Sequence, residues 1–76
     1  LTPREFALLQ LFMRRPDEVL SKSEILAHVW DEYYAGDTNV VEVYVGYLRR
    51  KIDAPFGRHA LQTVRGAGYR LAGDGG

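Results

Sequence analysis

Arg65, Gly66, Ala67 and Gly68 lie between two short apolar, β-prone flanks in the run Leu61 to Leu71, L-Q-T-V-R-G-A-G-Y-R-L. Glycine takes positive φ in a tight turn without steric cost, so the run predicts a hairpin that carries a guanidinium at its tip. Upstream, Arg49, Arg50 and Lys51 close a helix-patterned segment. A cationic tip directly after a helix ending in three cations offers charge-assisted hydrogen bonds to phosphates, which is the chemistry of a nucleic-acid backbone. The plainer alternative is a surface hairpin after a helix whose last-turn cations favour the macrodipole.

Other chemistries find little support. His28 has no second ligand at i+3 or i+4 and His59 falls in a loop, so no metal site is expected. Ser21 and Ser23 are explained by helix capping, which leaves no nucleophile with an adjacent base and no expectation of catalysis or of a cofactor. The absence of cysteine rules out a disulfide framework and suits a reducing cytoplasm. No apolar stretch is long enough to span a bilayer, and the first residues do not resemble a signal peptide.

Seventy-six residues make one small domain, with ten basic and ten acidic side chains. A zero total weighs against nucleic-acid binding, but the distribution is segregated. Residues 1–37 carry four basic and seven acidic side chains, whereas residues 38–71 carry six basic and two acidic. A neutral total therefore leaves room for one basic face.

The elements that must position these groups follow from capping and periodicity. Thr2, Pro3 and Glu5 form an N-cap, an N1 proline and a capping box. Phe6, Leu9 and Met13, with Leu8 and Phe12 beside them, predict the apolar face of a first helix that ends near Arg15, before Pro16. Val19 and Leu20 read as a short extended segment. Ser21 and Glu24 form a second capping box, and Ile25, Leu26, Val29 and Trp30 give the second helix its buried side. Asp37, Thr38 or Asn39 caps the third helix, with Asn39 and Glu42 as one candidate box. Val41, Val45, Leu48 and Ile52 then make a narrow inward stripe, which leaves Val43, Gly46, Tyr47 and Arg50 opposite it. Residues 53–59 read as a connecting loop, and residues 72–76 as a flexible tail beyond a domain of residues 1–71.

T-V-R-G-A-G-Y-R, together with L-T-P-R-E-F-A-L-L, S-K-S-E-I-L-A-H-V-W and V-V-E-V-Y-V-G-Y-L-R-R-K-I, strongly resembles the OmpR/PhoB family of winged helix-turn-helix domains, the output modules of two-component response regulators. The resemblance covers nearly the whole chain. It implies an α+β, mainly α fold, with a three-helix core followed by a C-terminal hairpin wing. The family's N-terminal four-stranded sheet has no counterpart here, so the chain reads as a piece of a larger protein or as a domain without those strands, and the resemblance implies a receiver domain upstream. The implied function is sequence-specific binding of double-stranded DNA, with residues 39–52 in the major groove and the wing, residues 61–71, in the minor groove. Head-to-tail dimers on direct repeats are implied as well.

Carried onto this chain, the resemblance assigns base or backbone contacts to Asn39, Val40, Val43, Tyr44, Gly46, Tyr47, Arg49, Arg50 and Lys51 of the third helix. In the wing it assigns Arg65 and Gly66 to the minor groove, and Thr63 and Tyr69 to phosphates. Tyr69 reads equally as core packing, and Trp30 as either a phosphate contact or a buried anchor. Many members place two arginines where this chain has Gly46 and Tyr47, so specificity is expected to lean on shape and thymine methyls more than on guanine. Mid-helix glycine costs about 1 kcal/mol against alanine, and Gly46 therefore suggests a close approach from outside. Asp31 to Thr38, with Asp31, Glu32, Tyr33 and Tyr34 at its start, resembles the loop through which the family contacts RNA polymerase, and reads otherwise as a solvated connector. Two rival readings are a winged-helix protein-interaction module with little DNA binding, and the same domain in a membrane-anchored or one-component activator.

Overall fold

The Thr2 capping box forms as the spacing predicts. Glu5 N–H donates to Thr2 Oγ1 at 3.2 Å and Thr2 N–H donates to Glu5 Oε1 at 2.8 Å, which starts α1 (Pro3–Arg14) in the computed structural model, where residues 1–31 and 34–76 are described. Leu8, Leu11 and Phe12 are the apolar side chains this helix buries. Phe6 and Met13 are instead 57% and 63% exposed, which corrects the expected apolar face. Two sets of positions satisfy the helical period on α1, and the set that is buried is the one facing the second and third helices.

Ser21 N–H and Glu24 close the second box at 3.3 Å and open α2 (Lys22–Ile25), which continues without a break into a π-helical turn, Leu26–Trp30. The widened turn was not legible in the apolar spacing. His28 donates Nδ1–H to the Glu24 carbonyl at 2.9 Å, a local use for the histidine within its own helix. The third helix, α3 (Asn39–Ile52), has the expected bounds and buries Val41, Val45 and Leu48. Glu42 does not join a capping box with Asn39, because it pairs with Lys22 of α2 at 2.5 Å. Asp37 Oδ1 accepts the Asn39 N–H at 2.9 Å in its place.

A 3-10 turn, Ala54–Phe56, leads to the antiparallel hairpin of β1 (Leu61–Val64) and β2 (Gly68–Leu71), paired Leu61 with Leu71 through Val64 with Gly68. Leu20 lies along the other edge of β2, exchanging hydrogen bonds with Tyr69 at 2.7 and 2.9 Å. Asp17 fastens the same edge: its N–H donates to the Leu71 carbonyl at 2.8 Å, and its carboxylate accepts Gly73 N–H at 2.9 Å. The hairpin is thus anchored at its base to the segment between the first two helices. Ala72, expected in the tail, is buried and donates its N–H to the Ala60 carbonyl at 2.8 Å, so the hairpin's hydrogen bonding runs one residue beyond Leu71. The core gathers Leu8, Phe12, Leu20, Ile25, Val45 and Leu48 beneath the hairpin.

Candidate nucleic-acid interface

The inward stripe of α3 fixes what its other side can offer. With Val41, Val45 and Leu48 buried, Val43 is 46% and Tyr47 42% exposed, and Asn39 and Arg50 are exposed as well. Val40, Tyr44 and Gly46 are half-buried between the two sides. A Cβ added at Gly46 would meet nothing within 4 Å, so nothing among the described residues requires a glycine there. Tyr47 packs edge-on against Tyr44 at 5.5 Å, Tyr44 against Trp30 at 5.2 Å, and Arg4 lies 5.0 Å over the Trp30 ring. This row of rings braces the exposed side of α3 from the end of α2. Trp30 is a half-buried packing element in that row.

Arg49 sits on the flank of α3 that meets the hairpin. Its Nε donates to the Leu61 carbonyl at 2.9 Å, its Nη2 donates to Thr63 Oγ1 at 2.7 Å, and its guanidinium lies 5.9 Å over the Tyr69 ring. Three residues assigned to phosphates by the resemblance are therefore joined in one seam that holds the wing against α3. Tyr69 is 5% exposed, and its ring belongs to the core. Arg65 and Gly66 stand exposed at the hairpin tip, where Gly66 takes φ 75° and Ala67 N–H closes the turn on the Val64 carbonyl at 3.0 Å. A cleft of about 450 Å³ separates the wing from α2 and α3, bounded by Lys22, Glu42, Thr63, Arg65 and Tyr69 among others.

Lys51 is tied back to α1. Its Nζ donates to Glu5 Oε1 at 2.8 Å, and Glu5 is a carboxylate only 2% exposed. A buried charge needs a partner, and this one recruits the cation from the end of α3. The Lys51 hydrogen bond, followed by those from Thr2, holds the Glu5 carboxyl well below its ordinary 4.5, at about 2. Sequence reasoning saw Glu5 only as a cap and missed its second role. It also missed Asp53, whose buried carboxylate accepts the N–H groups of Ala60 and Leu61 at 3.2 and 3.0 Å and so sets where β1 begins. The one available signal was an acidic residue directly after a helix rich in terminal cations.

In the loop between α2 and α3, Asp31 and Tyr34 are exposed; Tyr34 N–H donates to the Asp31 carbonyl at 3.0 Å, and the phenol reaches the Asp37 carbonyl at 3.4 Å. Glu32 and Tyr33, assigned to the same polymerase-contact loop, lie outside the described residues. Among the described residues, no helix is long and apolar enough to cross a membrane.

Comparison with known proteins places this geometry. Residues 1–71 match the family described as "Transcriptional regulatory protein, C terminal". The transcriptional regulatory protein TcrA of Mycobacterium tuberculosis is 50% identical over 76 residues, covering 100% of this chain and 30% of TcrA. The DNA-binding domain of Bacillus subtilis CssR superposes with a TM-score of 0.81 at 39% identity, covering 93% of this chain and 76% of that one. The DNA-binding domain of the response regulator AdeR, solved in complex with an intercistronic region, gives 0.82 at 29% identity, covering 95% and 71%. This chain spans about a third of the length of the curated relatives it matches. The match over residues 1–71, with the three helices and the hairpin in the expected order, shows that the chain belongs to the transcriptional regulatory protein C-terminal family, whose domains are of the OmpR/PhoB winged-helix type.

Proposed function

We propose that this domain binds double-stranded DNA sequence-specifically and regulates transcription as the C-terminal effector domain of a two-component response regulator. The observation that carries the reading is the exposed side of α3: a glycine with open space beside it, apolar and phenolic side chains around it, and an arginine-tipped wing along its flank. A major groove admits such a helix and rewards contact with thymine methyls, for which Val40 and Val43 are suited. Asn39, Tyr44 and Tyr47 supply hydrogen bonds to base edges, and Arg50 a charge for the backbone. Arg65 enters the adjacent minor groove, where narrow A·T tracts concentrate negative potential. The seam of Arg49, Thr63 and Tyr69 sets the distance between these two insertions, with Thr63 beside the backbone they straddle.

On this reading the full-length protein is cytoplasmic and carries a receiver domain before this one. Two copies sit head to tail on direct repeats, and residues 31–38 face RNA polymerase. The test is a salt titration of binding to a duplex selected from a random pool. Each phosphate contact contributes a log–log slope of about −0.9, so two or three contacts give roughly −2 to −3. Arg65→Ala should flatten the slope by about 0.9 and weaken the preference for A·T pairs beside the major-groove site, with the fold intact. Affinity that is insensitive to salt would favour the protein-interaction module instead.

A further inference from the structure

The loop after α3 closes a hollow of about 200 Å³ whose walls include Arg49, Arg50, Asp53, Arg58, His59 and Leu61. Two of these groups are already committed inside the chain. Asp53 accepts the N–H groups of Ala60 and Leu61, and Arg49 donates to Leu61 and Thr63. What remains to face an occupant is the Arg50 guanidinium, the Arg58 guanidinium and the His59 ring, all exposed. Arg58 is held in place from behind: its guanidinium lies 5.4 Å over the ring of Phe56, which is itself 67% exposed. The loop beneath is braced, with the N–H groups of Phe56 and Arg58 both donating to the Asp53 carbonyl at 3.0 Å. Cations fixed in advance lose less freedom when they bind.

The hollow is smaller than the 300–1,000 Å³ usual for organic ligands, and its free groups are cationic or hydrogen-bonding, so its chemistry suits a single small anion. The C-terminal end of a helix repels an anion with a partial charge of about half a unit, which two guanidiniums outweigh. Arg50 belongs both to this hollow and to the exposed side of α3, so an anion held here stands at the end of the recognition helix. We infer that Arg50, Arg58 and His59 form a second backbone site that holds one phosphate of the duplex, apart from the base-facing residues and from the wing tip. This assignment rests on the DNA-binding reading above.

The experiment measures salt dependence of binding for this chain on a selected duplex and on a scrambled one, with urea unfolding run in parallel. Arg58→Ala is expected to flatten the log–log slope by about 0.9 and to lower affinity several-fold on both duplexes, leaving base preference unchanged. Arg58→Lys, which keeps the charge, should retain the slope. If Arg58→Ala does not fold, Arg58→Gln carries the same measurement. A wild-type slope for the neutral variant, while Arg65→Ala is flattened, overturns this site and leaves the DNA reading standing. Salt-insensitive wild-type binding overturns both. Altered base preference in Arg58→Ala would make Arg58 a base reader and remove the phosphate assignment. So would a titration in which inorganic phosphate shifts the His59 ring resonances and the duplex cannot displace it, since the hollow would then serve a free anion.

Discussion

The tip end of β2 and the exposed side of α3 each contain a glycine, and the two are small for opposite reasons. At Gly68 an added Cβ would lie 2.0 Å from the Leu20 carbonyl oxygen, on a backbone at φ 145°. At Gly46 it would meet nothing within 4 Å. The first glycine is required by the fold, because β2 must approach the Leu20 segment closely enough to exchange hydrogen bonds with it. The second has no such requirement among the described residues, and leaves a strip of helix backbone uncovered beside Val43 and Tyr47. One region is finished by its own chain; the other is left open.

The largest expected effect tests the closed side of that contrast. Leu48 is fully buried in the stripe that seats α3, and Leu48→Asp would place an unpaired carboxylate in the core, at a cost of several kcal/mol against a total stability of about 5–15 kcal/mol. Circular dichroism should show an unfolded chain, and a folded one would mean that α3 is rotated from its place here. Gly68→Ala comes next. The clash is with backbone atoms that cannot turn aside, and the φ value is one that alanine resists, so a loss of about 2–4 kcal/mol in urea unfolding is expected. A loss below about 1 kcal/mol would show that β2 can move away from Leu20.

A third effect is conditional on pH. Glu5 links α1 to the end of α3 through Lys51, and its carboxyl is held at about 2 against an ordinary 4.5. A lowered folded-state value means that the stabilisation is present above about 4.5 and is lost as pH falls toward 2. Glu5→Gln should therefore be less stable than wild type at neutral pH, and its stability should decline less between pH 5 and 2. Parallel curves for the two proteins would show that the pair with Lys51 does not couple folding to this proton.

These residues also mark how far the sequence could be read. Capping boxes at Thr2 and Ser21 and the bounds of α3 were legible because each depends on neighbours within one or two turns. The hairpin was legible because its glycines have local conformational demands. The buried face of α1 was not, since Phe6, Leu9 and Met13 fit the helical period as well as Leu8 and Phe12 do, and burial depends on what packs alongside. The bonds of Lys51 to Glu5, Arg49 to Thr63 and Asp53 to Ala60 escaped for the same reason. Each pairs residues that only the fold brings together, and a cation at a helix end looks the same in sequence whether it faces a phosphate or a buried carboxylate.

The smallest expected effect is the most discriminating. Gly46→Ala adds one methyl group in open space on a helix, so it should stabilise the domain by about 0.5–1 kcal/mol through helix propensity alone. The same methyl narrows the uncovered strip between Val43 and Tyr47, and binding to a selected duplex should weaken even as the fold becomes firmer. Opposite signs for the two changes are the signature of a glycine kept for an external partner. Urea unfolding and duplex titration on one preparation measure both. A variant that gains stability and binds as wild type would show that no groove floor approaches the helix at this point, and that the bases are read from Asn39, Tyr44 and Tyr47 at a greater distance. A variant that loses stability would instead show that some part of this chain moves against Gly46, and the contrast with Gly68 would disappear.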